Sequence, residues 1–268
     1  MGTQPEGLRE LSLFSGAGGC LLATQHLLGW RAVCYVERDP YCVKVLKQRM
    51  ADGLLHDAPI WDDCRTFDGK PWRGLVDVIS AGFPCQPFSV AGASKADADD
   101  RNGWPWVARI VREVEPRYVF LENVPGLLAS SHGYFGTVLG DLAESGYDVR
   151  WTCLSASACG APHKRSRLWI VGVSNTYTDS GRREGRGEQE PPRIKGESRG
   201  LFDRLRSDGE LSHAPAGAWW RIEPDVGRVA HGVAARVDRL KALGNGQVPA
   251  VAAAAWRRLN QPEKETKQ

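Results

Sequence analysis

The stretch Leu11-Ser12-Leu13-Phe14-Ser15-Gly16-Ala17-Gly18-Gly19, followed by the apolar run from Cys20 to Leu28, reads as a strand, a glycine turn and a helix. Glycines allow positive φ and close backbone approach, so such a turn can wrap a nucleoside-type cofactor against the amino end of the helix. The dinucleotide fingerprint wants a further glycine where Leu21 stands, which disfavours NAD. A second strand, Ala32-Val33-Cys34-Tyr35-Val36, ends in Glu37, about twenty residues after the glycine turn, where a carboxylate can accept from both ribose hydroxyls. Glu37 also stands just before Asp39-Pro40, the start signal of a helix running through Met50, and both roles are open to it. Further strands are expected near 75–81, 117–122, 147–154 and 167–173, with helical stretches between them. This alternation predicts an α/β protein built on a doubly wound sheet.

Around that frame lie the segments that carry chemistry. The run Gly82-Phe83-Pro84-Cys85-Gln86-Pro87-Phe88-Ser89 follows the apolar strand from Leu75 to Ala81 and puts Cys85 at a carboxyl edge, where open α/β sheets hold their ligands. A cysteine in such a turn is, taken alone, more often a small buried hydrophobe. As a thiolate it is a strong nucleophile that also leaves readily. Tyr118-Val119-Phe120-Leu121-Glu122-Asn123-Val124 is another apolar strand, and its Glu122 faces the same edge either as a turn cap or as a carboxyl whose pKa burial raises until it donates to a ring nitrogen. In Pro162-His163-Lys164-Arg165-Ser166-Arg167-Leu168-Trp169, alternation places Arg165 and Arg167 on one face of a strand, as a basic edge or as ligand-holding groups. Ala242-Leu243-Gly244-Asn245-Gly246-Gln247-Val248-Pro249 turns into an alanine-rich helix that runs through Leu259.

In their order and approximate spacing, these segments resemble the signature of the cytosine-C5 DNA methyltransferases. The resemblance covers roughly residues 9–173 and 240–260, and its specificity lies in Pro-Cys-Gln, Glu-Asn-Val and Arg-x-Arg taken together. It implies a Rossmann-like sheet that binds S-adenosylmethionine, with Phe14, Ser15, Gly16, Gly18, Gly19 and Pro84 against the cofactor. It further implies that Glu37 holds the ribose and Arg38 packs near the adenine. Either Asp62 or Asp63 would contact the adenine amino group, and Asn245 would close over the methionine end from the far end of the chain. The implied catalytic set is Cys85, Glu122, Arg165 and Arg167. Cys85 would add to carbon 6 of a cytosine flipped out of duplex DNA while protonated Glu122 acts at N3 and the arginines hold O2; carbon 5 would then take the methyl group. The family usually shows Gln where His163 stands, and Gly246-Gln247 departs from its commoner small-then-apolar pattern. The same chemistry on a tRNA, or an idle nucleic-acid-binding remnant, are the rival readings.

The interval between the arginine strand and the asparagine turn has a different composition. From Asn175 to about Pro215 the chain carries Gly, Arg, Glu, Pro and Ser in quantity, as in Gly181-Arg182-Arg183-Glu184-Gly185-Arg186, and the resemblance makes 174–239 a short target-recognition region, either a minimal reader that orders on DNA or a remnant. The loop from Ser89 to Trp104, small and polar, reads as a lid, and 261–268 as a flexible tail. A formal net charge of +3 permits a polyanion partner without demanding one. The 7 cysteines show no Cys-x-x-Cys pairing, so structural zinc is not expected, and their odd number suits a reducing, cytoplasmic setting in a bacterial or phage-infected cell. The longest apolar runs are strand-sized, which argues against a membrane span. Double-stranded DNA is the expected partner of a monomer, with a cognate restriction endonuclease as a possible companion.

Overall fold

The computed structural model describes residues 7–84, 102–129, 133–177 and 236–260. Cys85, the lid segment up to Arg101, most of the expected reader (178–235) and the tail lie outside the described residues. Seven strands form one sheet in the order β3-β2-β1-β4-β5-β7-β6. They are β1 (Arg9–Leu13), β2 (Arg31–Val36), β3 (Ile60–Trp61), β4 (Val78–Ala81), β5 (Tyr118–Asn123), β6 (Tyr147–Ser155) and β7 (Ser166–Ser174). β1 to β5 pair in parallel, whereas β7 runs antiparallel to both of its neighbours. The chain leaves β1 toward β2 and later returns on the other side of β1 as β4. The carboxyl ends of these two strands therefore flank a topological switch point, the place where open α/β sheets form a ligand crevice.

The helices are α1 (Gly19–His26), α2 (Pro40–Ala51), α3 (Trp104–Val114), α4 (Tyr134–Glu144), α5 (Arg236–Asn245) and α6 (Pro249–Leu259). β4 is buried at every position and β1 and β5 at all but the first, as layers on both faces require. One face packs Leu13, Ile79 and Leu121 against Val107, Ile110 and Val111 of α3 and Val138 and Leu142 of α4. The other face packs Val78 and Phe120 against Ala23 of α1 and the alanines of α6. Trp256 of α6 meets Trp30 and Phe120 edge-on, with ring centroids 4.7 and 5.4 Å away, so the far end of the chain is built into the core beneath the switch point. Gly18 supplies the left-handed turn (φ 84°) before α1, and a Cβ there would press Leu46 and Leu55 at 3.1 and 3.2 Å.

Glu10 of β1 is fully buried between the two faces' supports. It accepts from Ser80 Oγ at 2.5 Å and Thr24 Oγ1 at 2.6 Å, and burial pushes its pKa to about 7. The expected strand at 75–81 is shorter at its start, because Leu75 is exposed and Asp77 turns its carboxylate to Arg9 (Nε to Oδ2, 2.9 Å) instead of continuing the buried run. β3, a two-residue strand, was not expected from the sequence and extends the parallel edge beyond β2. Among the described residues no helix is long and apolar enough to cross a membrane.

Candidate active site

A cavity of about 450 Å³ opens at the carboxyl ends of β1, β4 and β5, within the usual span of roughly 300–1,000 Å³ for small-molecule sites. Its β1 side begins where Phe14 leaves the strand at φ 53°, a left-handed conformation rare for a non-glycine residue and one that clusters at functional sites. Ser15 then fastens the turn by donating from Oγ to the carbonyl of Ser12 at 3.0 Å, and from its amide to Val36 at 3.1 Å. Gly16, at φ 56°, donates its N–H to Glu37 Oε2 at 2.6 Å, and the amide of Asp39 donates to the other oxygen at 2.7 Å. Burial raises the pKa of Glu37, and these two amides oppose the rise. The helix cap of α2 is Asp39, whose Oδ1 accepts from the amides of Tyr41 and Cys42, so Glu37 is left to face the cavity.

The opposite wall is made by the ends of β4, β5 and β7. Glu122 sits directly across the ladder from Trp169, and its Oε1 takes the Nε of Arg167 at 2.9 Å. Its Oε2 accepts from Gln247 Nε2 at 3.0 Å. Burial nonetheless raises the pKa of Glu122, with Gln247, Arg167 and Arg165 pulling it back down. Arg165 stands one residue before β7 and reaches the other way, donating from Nη2 to the carbonyls of Gly244, at 2.8 Å, and Gly246. Gly82-Phe83-Pro84 enters the same wall and is pinned from two sides: Asn123 Nδ2 donates to Phe83 O at 3.1 Å and Gly103 N donates to Pro84 O at 3.1 Å. The next residue in the chain is Cys85, outside the described set.

Residues 8–211 match the family model described as C-5 cytosine-specific DNA methylase. The chain belongs to this family. Among curated members it is 32% identical over 171 residues to the type II methyltransferase M.NgoMIV of Neisseria gonorrhoeae, a match covering 63% of this chain and 53% of that one. The corresponding figures for M.HhaI of Haemophilus parahaemolyticus are 32% identity over 174 residues, 64% and 51%. The chain thus spans about half the length of the curated relatives it matches. A prophage-encoded DNA modification methyltransferase from E. coli superposes with a TM-score of 0.53 at 26% identity, covering 64% of this chain and 48% of that one. Spodoptera frugiperda DNMT2 shares the fold at a TM-score of 0.54 and 24% identity, over 64% and 51% of the two chains.

Against the family's site, the residues expected from the sequence divide in two. Phe14, Ser15, Gly16, Gly19, Glu37, Pro84, Glu122, Arg167 and Asn245 all line the one cavity. Gly18, Arg38, Asp62, Asp63 and Arg165 do not. Arg38 is largely exposed, 4.0 Å from Asp63, and Asp63 is paired with Arg65 at 2.6 Å; both lie beyond the carboxyl ends of β2 and β3. The wall residues not expected from the sequence include Gln247, Lys241, which pairs with Asp39 at 2.7 Å, and Trp169. Only Gln247 carried a signal, as a polar side chain set into an apolar helix start where the family pattern is departed from.

Proposed function

We propose that this chain is a DNA (cytosine-5-)-methyltransferase that takes its methyl group from S-adenosylmethionine. The observation that carries the reading is one cavity shared by Glu37 and the glycine turn on one wall and by Glu122, Arg167 and the backbone leading to Cys85 on the other. S-adenosylmethionine suits the first wall: the Glu37 carboxylate is fixed for a ribose diol, and the space beside Gly16 is open. The buried indole N–H of Trp169, without a partner among the described residues, is a further donor for a ligand in this cavity. When bound, the cofactor supplies an electrophilic methyl group.

The chain's own groups do the rest. Cys85 attacks carbon 6 of the flipped cytosine as a thiolate; once carbon 5 is methylated, loss of the carbon-5 proton restores the C5–C6 double bond as the C6–S bond breaks and the thiolate leaves. Glu122, its pKa raised by burial, delivers a proton or hydrogen bond at N3 as charge builds there. Arg167 holds the second carboxyl oxygen so that the acid faces the ring, and Arg165 secures the returning Gly244–Gly246 backbone beside the site. Residues 9–173 and 240–260 form the catalytic and cofactor-binding unit in this reading, 174–239 reads the target sequence and 261–268 is a tail. The setting is the cytoplasm of a bacterial or phage-infected cell, the protein acts as a monomer, and the type II names of its relatives support a paired restriction endonuclease.

The test is expression in a host lacking cytosine methylation, with 5-methylcytosine mapped at base resolution. Methylation within one short motif, abolished by Cys85→Ala while S-adenosylmethionine binding persists, is the expected result. A soluble protein that binds the cofactor and leaves the DNA unmethylated would overturn the DNA reading and move it to an RNA substrate or an idle remnant.

A further inference from the structure

Gln247 reaches the catalytic carboxyl from the opposite end of the chain, and everything around it holds it there. Its backbone lies on the glycine turn: a Cβ on Gly19 would come within 2.7 Å of the Gln247 carbonyl oxygen. Its side-chain amide lies in a slot over Gly82, where a Cβ would stand 2.7 Å from Nε2 and 3.2 Å from Glu122 Oε2. On one side Arg165 holds the carbonyls of Gly244 and Gly246, and on the other α6 begins, with Ala252 and Ala253 sealed in the core. The carboxamide therefore meets Glu122 from a fixed base, with only its own side-chain torsions free.

The two oxygens of Glu122 are not equivalent. Arg167 occupies Oε1, which leaves Oε2, held among the described residues only by the neutral amide, as the oxygen able to take a proton or address a base. A primary amide offers an N–H₂ donor beside an acceptor. The hydrogen-bonding edge of cytosine does the same, with its N4 amino group beside the N3 lone pair. We propose that Gln247 is a positioning residue that stands in for the target cytosine, capping Glu122 Oε2 in the free protein and yielding that oxygen when the base enters. The proposal rests on the catalytic reading of Glu122 given above.

The consequence is a pH behaviour that differs between free and DNA-bound protein. Glu122 works protonated, so activity is lost as pH rises through its pKa. In the free protein the amide favours the ionised form and draws that pKa down; once the base has displaced it, it has no influence. Among the described residues, the charged and titratable groups facing Glu122 are Arg167 and Arg165 from the β7 side and the Cys20 thiol from α1, and none of them is altered by a change at 247.

The experiment compares Gln247→Leu, similar in size but unable to donate, and Gln247→Asn, one methylene too short to reach, with the parent chain. A ¹³C titration of the Glu122 carboxyl in DNA-free protein should move upward by about one pH unit in both variants, the shift expected when a carboxylate loses one hydrogen bond. With unmethylated plasmid DNA, the alkaline limb of kcat/KM should move upward with it while the limb of kcat stays in place, since the first reports free enzyme and the second the bound complex. An unmoved carboxyl titration overturns the contact. Equal movement of both kinetic limbs overturns the displacement, because it means the amide stays on Glu122 with the base bound. The carboxyl titration needs no methyl transfer, so absence of DNA methylation would count against the catalytic reading alone.

Discussion

The two walls of the cavity are built by different means. On the cofactor wall the decisive contacts are short in sequence: Glu37 is held by amides 21 and 2 residues away, Gly16 in the turn after β1 and Asp39 in the turn after β2. On the catalytic wall they are long: Asn123 reaches Phe83 across 40 residues, Arg165 reaches Gly244 across 79, and Gln247 reaches Glu122 across 125. The first wall is formed once β1, β2 and their turns are formed. The second exists only when β4, β5, β7 and the carboxyl-terminal return have all assembled, so a change there is felt by several elements at once.

Glu122→Gln should have the largest effect of the substitutions that probe this contrast. It keeps the shape of the side chain and one acceptor oxygen but removes the transferable proton, so methyl transfer should fall by about a hundredfold or more, the usual worth of a general acid. Because burial raises the pKa of Glu122, the parent chain should keep activity at pH values where an exposed glutamate would be ionised, and lose it as pH climbs through the raised value. Rate measurements across pH check both points, and cofactor affinity measured by calorimetry should barely change. If cofactor binding collapsed together with catalysis, the two walls would have to be treated as one unit.

How much of this was legible beforehand follows the same contrast. Strand, glycine turn and helix at 9–28 are specified by apolar runs and by glycines that need positive φ, and the structure has β1 and α1 there. Glu37, Glu122 and Arg167 could be picked out because each ends or begins a buried strand, where polar residues are conspicuous. The partners on the carboxyl-terminal return could not be picked out. Gln247 and Lys241 lie on a helical return with no periodic signal toward Glu122 or Asp39, and only the packing of α6 against α1 and the sheet brings them to the cavity. β3 was invisible because two residues carry no period, and the strand before Cys85 was read too long because Leu75 and Val76 are apolar although Leu75 is exposed. The antiparallel setting of β7 is likewise a tertiary fact, since no local pattern records strand direction.

Glu37→Ala is the corresponding break on the cofactor wall, and its effect should be smaller and of another kind. The change leaves the amides of Gly16 and Asp39 without their carboxylate and takes away the acceptor proposed for the ribose. Hydrogen bonds to a charged group are worth about 1.5–3 kcal/mol each, so S-adenosylmethionine should bind about ten- to a hundredfold more weakly, while kcat at saturating cofactor stays near the parent value. Titration calorimetry and saturation kinetics separate the two. A kcat that fell as far as in Glu122→Gln would mean that the glycine turn shapes the catalytic wall as well.

Lys241→Ala tests an ion pair that ties the two kinds of wall together. Lys241 belongs to the carboxyl-terminal return, yet its Nζ reaches Asp39 Oδ2 at 2.7 Å, next to Glu37. Asp39 is also the cap of α2, and the neighbouring ammonium draws its pKa down while its own rises. The pair is as long-range as any contact on the catalytic wall, spanning 202 residues, but Lys241 is exposed at its side chain (61%), and that decides its weight. Exposed pairs are worth about 0.2–1 kcal/mol and are screened by salt, so the substitution should weaken cofactor binding by no more than about fivefold at low ionic strength and by less at 0.5 M salt. The α2 cap should persist, because the amides of Tyr41 and Cys42 bond to the other oxygen, Oδ1. A loss well beyond fivefold, insensitive to salt, would show that distance along the chain does not set the cost: the pair would then be holding the return segment, and Gln247 with it, over the cavity.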